Sequence, residues 1–223
     1  MNEQQSNRVA GAEAAVDSGK TFNGEWMNDF FYSTVVALCS EQSDANFTVL
    51  DLGAGSGKVS ERFRQQFPNC ETHLLDLDGE RLNEARNTFG DASARYFYRD
   101  FIQHPLPGEY DLVVSALSLH GLGAAQLNMV FSKIYRALKP GGRFINADLS
   151  GGGSEQIQAR IGEQGIYEAF NLNPELIHAQ LQPLEVQLNL LSAKGFEQVN
   201  CWLQYFGLCV YTGDKPSVNA FRN

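Results

Sequence analysis

Apolar positions change period several times along the chain, and each change marks an element. Trp26, Met27, Phe30, Phe31, Thr34, Val35 and Leu38 recur at helical spacing, which predicts an amphipathic helix within residues 25–41. After the turn EQSDAN comes a short apolar run, Phe47–Leu52, bounded like a buried strand. The glycine-rich segment 53-GAGSG-57 follows, then helical spacing from about Lys58 to Phe67, stopped by Pro68 and Asn69. The alternation repeats with His73–Leu77 as strand two, Glu80–Phe89 as its helix, and Ala94–Tyr98 as strand three. Tyr110–Ala116 is strand four, after the turn 105-PLPGE-109. A helix at about Ala125–Leu138 puts Leu127, Phe131, Ile134 and Leu138 on one stripe, Pro140-Gly141-Gly142 ends it, and Arg143–Leu149 is strand five. Strand and helix alternating at this pace predict an α/β fold, a parallel sheet covered on both faces.

The rhythm breaks over residues 150–182, where 151-GGG-153 and Asn173-Pro174 interrupt the periodicity; this predicts an insertion over the sheet edge. A helix at Leu184–Ala193 stops at Gly195. Two β-rich runs, Glu197–Gln204 and Phe206–Gly213, are separated by so little chain that they must form an antiparallel hairpin. Residues 1–24 are small and polar and predict a mobile arm. No repeat or linker divides the 223 residues, so the chain reads as a single domain, close to the roughly 100–200 residues usual for one.

Charge narrows the partners. Seventeen Lys and Arg against 26 Asp and Glu give a net charge of −9, with no basic run. Such a surface repels phosphate backbones and anionic lipid, which favours a small-molecule partner over nucleic acid or membrane. Cys39, Cys70, Cys201 and Cys209 form no CxxC pair and sit in apolar contexts, so they predict packed thiols rather than a metal centre. The N-terminus lacks an apolar signal core, and no stretch approaches 18 uncharged apolar residues. A reduced, soluble, cytoplasmic protein is the expectation, and a homodimer is compatible with it.

The chemistry concentrates at predicted strand ends. In 49-VLDLGAGSG-57 a buried strand runs into Gly53, Ala54, Gly55 and Gly57, and a helix begins at once. Glycines allow a tight turn and a close approach of backbone to ligand, and the helix start offers free N–H groups. The spacing is G-x-G-x-G, with Lys58 where a dinucleotide fingerprint wants its third glycine. Asp51 would oppose a pyrophosphate there and suits an amine or cation. Asp76, 19 residues after Gly57, can accept both hydroxyls of a ribose, with Leu77 beside it. Asp78 competes for that role, and either acid could instead cap the following helix; Asp76 directly follows the apolar run, and Asp78 is the better cap. Asp100-Phe101, closing strand three, could read an exocyclic amine and cover a ring.

These strings, with 110-YDLVVSALSLHGL-122 and 138-LKPGGRFINADL-149, resemble a class I S-adenosylmethionine-dependent methyltransferase of the small-molecule type, in its order and spacing. The tail 190-LLSAKGFEQVNCWLQYFGLCVYTGDK-215 is similar to that family's last helix and hairpin. The resemblance implies a Rossmann-like seven-stranded sheet of order 3-2-1-4-5-7-6 with strand 7 antiparallel, and S-adenosylmethionine as cofactor. It implies that Gly53 and Gly55 hold the methionine portion with Asp51 near its amino group, that Asp76 binds the ribose, and that Asp100-Phe101 frames the adenine. Ser115 and Ala116 would line the sulfonium end.

Methyl transfer requires alignment of a nucleophile and exclusion of water, and an oxygen or protonated nitrogen acceptor also requires a base. His120, after strand four, is the histidine placed for that role; its other reading is a packed loop histidine. The segment is not N-P-P-Y or D-P-P-Y, which argues against adenine bases in nucleic acid as acceptors. Only Asp148 follows strand five, too few acids for a metal-dependent site. The first helix and the 150–182 insertion should cover a substrate pocket, with Trp26, Phe30, Phe31, Tyr167, Phe170 and Tyr205 as lining candidates. Gln204 stands where many relatives carry a basic residue. Two further readings stay open: a closed pocket that lets the cofactor's own amine displace methylthioadenosine, and a cofactor-binding partner subunit without catalysis.

Overall fold

The structure is a computed structural model, and it describes residues 24–217 apart from 42, 93, 152–164 and 174–180, with side chains from Met27 onward. The elements run α1 (Gly24–Ala37), β1 (Thr48–Leu52), α2 (Lys58–Gln66), β2 (Glu71–Asp76), α3 (Gly79–Phe89), β3 (Ala94–Tyr98) and β4 (Tyr110–Ala116). There follow α4 (Ala124–Ala137), β5 (Leu138–Leu149), α5 (Ile166–Ala169), α6 (Leu184–Ala193), β6 (Glu197–Tyr205) and β7 (Leu208–Asp214). The predicted arm and most of the 150–182 insertion lie outside the described residues. The first helix ends at Ala37, four residues short of the expected limit.

Seven strands form one sheet in the order β3-β2-β1-β4-β5-β7-β6. β1 to β5 pair in parallel, while β7 runs antiparallel to both β5 and β6. This is the sheet order that the family resemblance implies. The hairpin turns at Phe206 and Gly207, both at positive φ (46° and 100°). Two consecutive left-handed residues give the backbone twist that matches a two-residue hairpin.

Alternation along the strands splits the core. Val49, Leu112, Val114, Ile145, Ala147 and Val210 face a cluster with Met27, Phe31 and Val35 of α1 and Val59 and Phe63 of α2. Leu50, Leu52, Leu75, Val113, Phe144 and Tyr211 face the opposite cluster, with Leu127, Phe131 and Ile134 of α4 and Leu191 of α6. A strand buried on both faces reads as the continuous apolar run seen in the sequence. A polar chain crosses the core: Asn146 Nδ2 donates to the Tyr211 hydroxyl at 2.8 Å, which donates to Gln187 Oε1 at 2.8 Å, while Asn146 Oδ1 and Thr72 Oγ1 are buried without a partner among the described residues. The four cysteines are free; Cys70 and Cys209 are buried and Cys39 is half-buried. Cys201 departs from the expectation of packed thiols. It lies exposed on β6, the edge strand, whose apolar neighbours face less protein than the run suggested.

Candidate cofactor and active site

β1 delivers the glycine turn to the carboxyl end of the sheet. Gly53 and Gly55 have φ of 74° and 53°, which L side chains rarely adopt. A Cβ on Gly53 would stand 2.3 Å from Ser118 Cβ, and Ser118 cannot retreat because its Oγ donates to the Leu52 carbonyl at 2.9 Å. A Cβ on Gly55 would meet the Arg81 guanidinium at 3.0 Å, so Arg81 lies across the turn. Gly57 serves packing instead, because a Cβ there would strike Phe89 and Leu74; its bare backbone lets α3 and β2 close behind the turn.

Above the turn opens a cavity of about 310 Å³. Asp51, Gly53, Ala54 and Gly55 form its floor, Ala116 and Leu117 one side, Arg81 the other, and Tyr32 and Phe170 the far wall. Asn28 and Tyr32 share a face of α1, one turn apart. Asn28 Nδ2 donates to the Ala169 carbonyl at 2.5 Å and ties that helix to the 165–173 segment. The Tyr32 and Phe170 rings meet edge to face at 6.4 Å. Burial, with the nearby Asp51 carboxylate, pushes the Tyr32 hydroxyl up to about 12, so it stays protonated. A larger hollow of about 440 Å³ between α1 and α2 contains none of the predicted site residues.

Asp51 is 2% exposed. Its Oδ2 accepts from the Ser60 amide at 3.2 Å and the Ser60 hydroxyl at 2.7 Å, and Oδ1 takes no partner among the described residues. Burial raises its pKa from 3.8 to about 6 against those two hydrogen bonds, and Asp76 adds to the rise. A buried carboxylate with a spare oxygen at a cavity floor fits the ammonium of a methionyl group such as that of S-adenosylmethionine.

Asp76 stands at the end of β2. Its Oδ2 accepts the Gly55 amide at 2.6 Å and its Oδ1 the Asp78 amide at 2.8 Å, so the carboxylate also holds the glycine turn against the next loop. Asp78 caps α3 through the Glu80 and Arg81 amides, as its position predicts. Leu77 is 57% exposed beside Asp76, an apolar platform at the strand ends. Asp100 Oδ1 accepts the Ile102 amide at 2.7 Å and the Gln103 amide at 3.3 Å, shaping the loop after β3, and Phe101 packs partly against the α4-side core.

Several expected positions fall elsewhere. Ser115 is fully buried and pairs with the Ser118 hydroxyl at 2.6 Å, so Ala116 alone of that pair lines the cavity. Phe31 and Tyr167 belong to the core, and Phe30 is 46% exposed. One step of helical rotation decides this: Met27, Phe31 and Val35 face the sheet, and the Asn28–Tyr32 face turns to the cavity. Tyr205 packs on Phe206 at 4.8 Å and on the α1-side core. Trp26 lies in α1, but its side chain is outside the described set. Tyr32, Asn28, Arg81 and Ser118 are residues that sequence reasoning missed; the i, i+4 pairing of Asn28 with Tyr32 was the available signal.

His120 follows β4 and meets Asp148, the penultimate residue of β5. Its Nδ1 lies 2.8 Å from Asp148 Oδ1, while Asp148 Oδ2 accepts the Leu119 amide at 2.7 Å. Asp148 is 1% exposed, and its Oδ1 also takes the Leu149 amide at 2.8 Å. A carboxylate only accepts, so Nδ1 carries the proton and Nε2 keeps a free lone pair. Burial works against a charged His120, but the Asp148 charge and hydrogen bond together outweigh it and raise the pKa above 6.5. Leu117, in the same turn, lines the cavity, whereas His120 itself is not among its lining residues.

Among the described residues no helix is long and apolar enough to cross a membrane. Residues 49–142 match the family model described as a methyltransferase domain. A malonyl-[acyl-carrier protein] O-methyltransferase of Chlorobium phaeovibrioides is 34% identical over 122 residues, covering 53% of this chain and 46% of that protein. The chain thus spans about half the length of that relative. The apo crystal structure of the S-adenosylmethionine-dependent methyltransferase SibL superposes with a TM-score of 0.67 at 20% identity, over 86% of this chain and 56% of that one. Human N-acetylserotonin methyltransferase in complex with S-adenosylmethionine gives 0.63 at 20% identity, over 87% and 55%. The two solved structures show that the fold is the one found in S-adenosylmethionine-dependent methyltransferases, and the segment that is similar to a methyltransferase domain contains the glycine turn and its acids.

Proposed function

We propose that the protein transfers a methyl group from S-adenosylmethionine to a small-molecule acceptor. The observation that carries this reading is the cavity over the glycine turn, with the buried Asp51 as its floor and Tyr32 and Phe170 as its far wall. When bound, the cofactor supplies an electrophilic methyl carbon. Asp51 would pair with its ammonium, Asp76 would accept ribose hydroxyls, and Leu77 with the Asp100-Phe101 loop would frame the adenine. Tyr32 and Phe170 exclude water from one side of the acceptor space.

His120 is the proposed base. Asp148 fixes its ring and tautomer, leaving Nε2 to take a proton from an acceptor hydroxyl or amine. This arrangement supports an intermolecular acceptor over cyclisation of the cofactor's own side chain, a reading that drew on the lack of an evident base. The relative named as a malonyl-[acyl-carrier protein] O-methyltransferase points the same way, toward an oxygen acceptor. In the single-domain reading, α1 and the Ala169–Leu172 stretch serve as the cover.

The test is incubation with S-adenosylmethionine, alone and with a panel of small hydroxylated acids and aromatics, followed by identification of the nucleoside product by mass spectrometry. Acceptor-dependent S-adenosylhomocysteine is the expected result. Methylthioadenosine accumulating without any acceptor would overturn methyl transfer, and a cofactor that binds but is never consumed would favour a non-catalytic partner subunit.

A further inference from the structure

The loop after β3 is held by a residue from another element. Lys133, on α4, sends its ammonium to three backbone carbonyls of that loop: Phe101 at 2.9 Å, Ile102 at 2.5 Å and His104 at 2.9 Å. An ammonium has three donors, so this group is fully engaged. The loop's own bonds complete the frame. Asp100 caps it from within, the His104 amide donates to the Asp100 carbonyl at 3.0 Å, and Arg99 Nη1 reaches the Pro105 carbonyl at 3.2 Å. Three clustered carbonyls turned to one point would repel each other without a cation between them. The loop's own guanidinium, Arg99, goes to the Pro105 carbonyl, so the cation among these three comes from Lys133.

We propose that Lys133 is a positioning residue for the cofactor, clamping the 100–104 turn so that Asp100 and Phe101 are already arranged for the adenine before binding. This rests on the cofactor reading of the Asp100-Phe101 pair given above. A loop ordered in advance loses little freedom on binding, so the clamp acts on affinity and not on the methyl-transfer step. Loss of a charged clamp of three bonds should weaken S-adenosylmethionine binding about tenfold, with kcat within about twofold of wild type.

The experiment compares wild type, K133M and K133R. Calorimetry gives the S-adenosylmethionine dissociation constant, steady-state assays give KM and kcat, and hydrogen exchange of the unliganded protein follows the amides of residues 102–104. K133M is expected to raise the dissociation constant and KM together and to expose those amides to faster exchange. K133R keeps the charge and should recover part of both effects. Melting temperature reports whether a variant is folded; if K133M is not, the milder K133Q takes its place in the same comparison. Wild-type affinity in K133M, or unchanged exchange in the loop, overturns the proposal while leaving the cofactor reading standing. Wild-type protein that binds no S-adenosylmethionine overturns the cofactor reading itself, and the clamp's purpose with it.

Discussion

If Asp51 pairs with the cofactor's ammonium as proposed, its raised pKa makes S-adenosylmethionine affinity pH-dependent in a calculable way. The free protein buries this carboxylate and holds its pKa at about 6 instead of 3.8. The folded protein therefore keeps the proton longer than the unfolded chain does. Stability contributed by this group falls as pH rises from about 4 to about 6, and at neutral pH the isolated charge costs about 3 kcal/mol, from roughly two pKa units at 1.36 kcal/mol each. An ammonium placed against Oδ1 would offset part of that cost, but only when Asp51 is ionised. Competition between the proton and the cofactor then gives an apparent dissociation constant about tenfold weaker at pH 5 than at pH 7.5, with the change centred near pH 6. Calorimetric titration with S-adenosylmethionine across that range measures it. D51N cannot ionise and should bind weakly at all these pH values with a flat profile, which separates Asp51 from His120, whose pKa is raised above 6.5 by Asp148. Wild-type affinity that stays constant from pH 5 to 7.5, or a D51N profile that keeps the same slope, would refute the ammonium pairing.

Other expectations follow from the same geometry. G53A should lose about 2–5 kcal/mol in urea denaturation, from left-handed strain plus overlap with the tethered Ser118, while G55A meets only the flexible end of Arg81 and should lose about 1–2 kcal/mol; equal losses would mean that Ser118 yields. D76A should weaken S-adenosylmethionine binding about thirtyfold and loosen the glycine turn by freeing the Gly55 amide, and unchanged affinity removes Asp76 from the ribose role. H120Q should lower kcat about 10²–10⁴-fold with little change in cofactor affinity. In wild type, kcat should rise with pH through a value above 6.5, because the base acts only when neutral; full activity in H120Q would end its role as base.

What could be read from the sequence follows the range of the forces involved. Strand positions and the glycine turn were legible because they depend on period-two or continuous apolar runs and on the φ freedom of Gly53 and Gly55. The Asp78 cap was legible for a similar reason, since its partners are two and three residues away. Sheet order came from resemblance, as no local pattern says which strand lies beside which. The predicted helix over 25–41 had the right residues but not the right face. Five aromatic or large apolar residues within a dozen positions left the rotation open until Met27, Phe31 and Val35 packed on the sheet.

By itself the sequence determined the α/β alternation, the turn that approaches a ligand, and the acids at three strand ends. Each of these is set by side-chain period, backbone freedom or charge within a few residues. Only the tertiary structure decided that Asp51 is buried enough to titrate near neutrality and that Asp148 reaches His120 across 28 residues. The same holds for Tyr32 as the cavity wall in place of Phe31, and for Lys133 as the clamp on a loop some 30 residues away. Burial and long-range pairing depend on which elements the closed sheet brings together, and no window along the chain contains both partners.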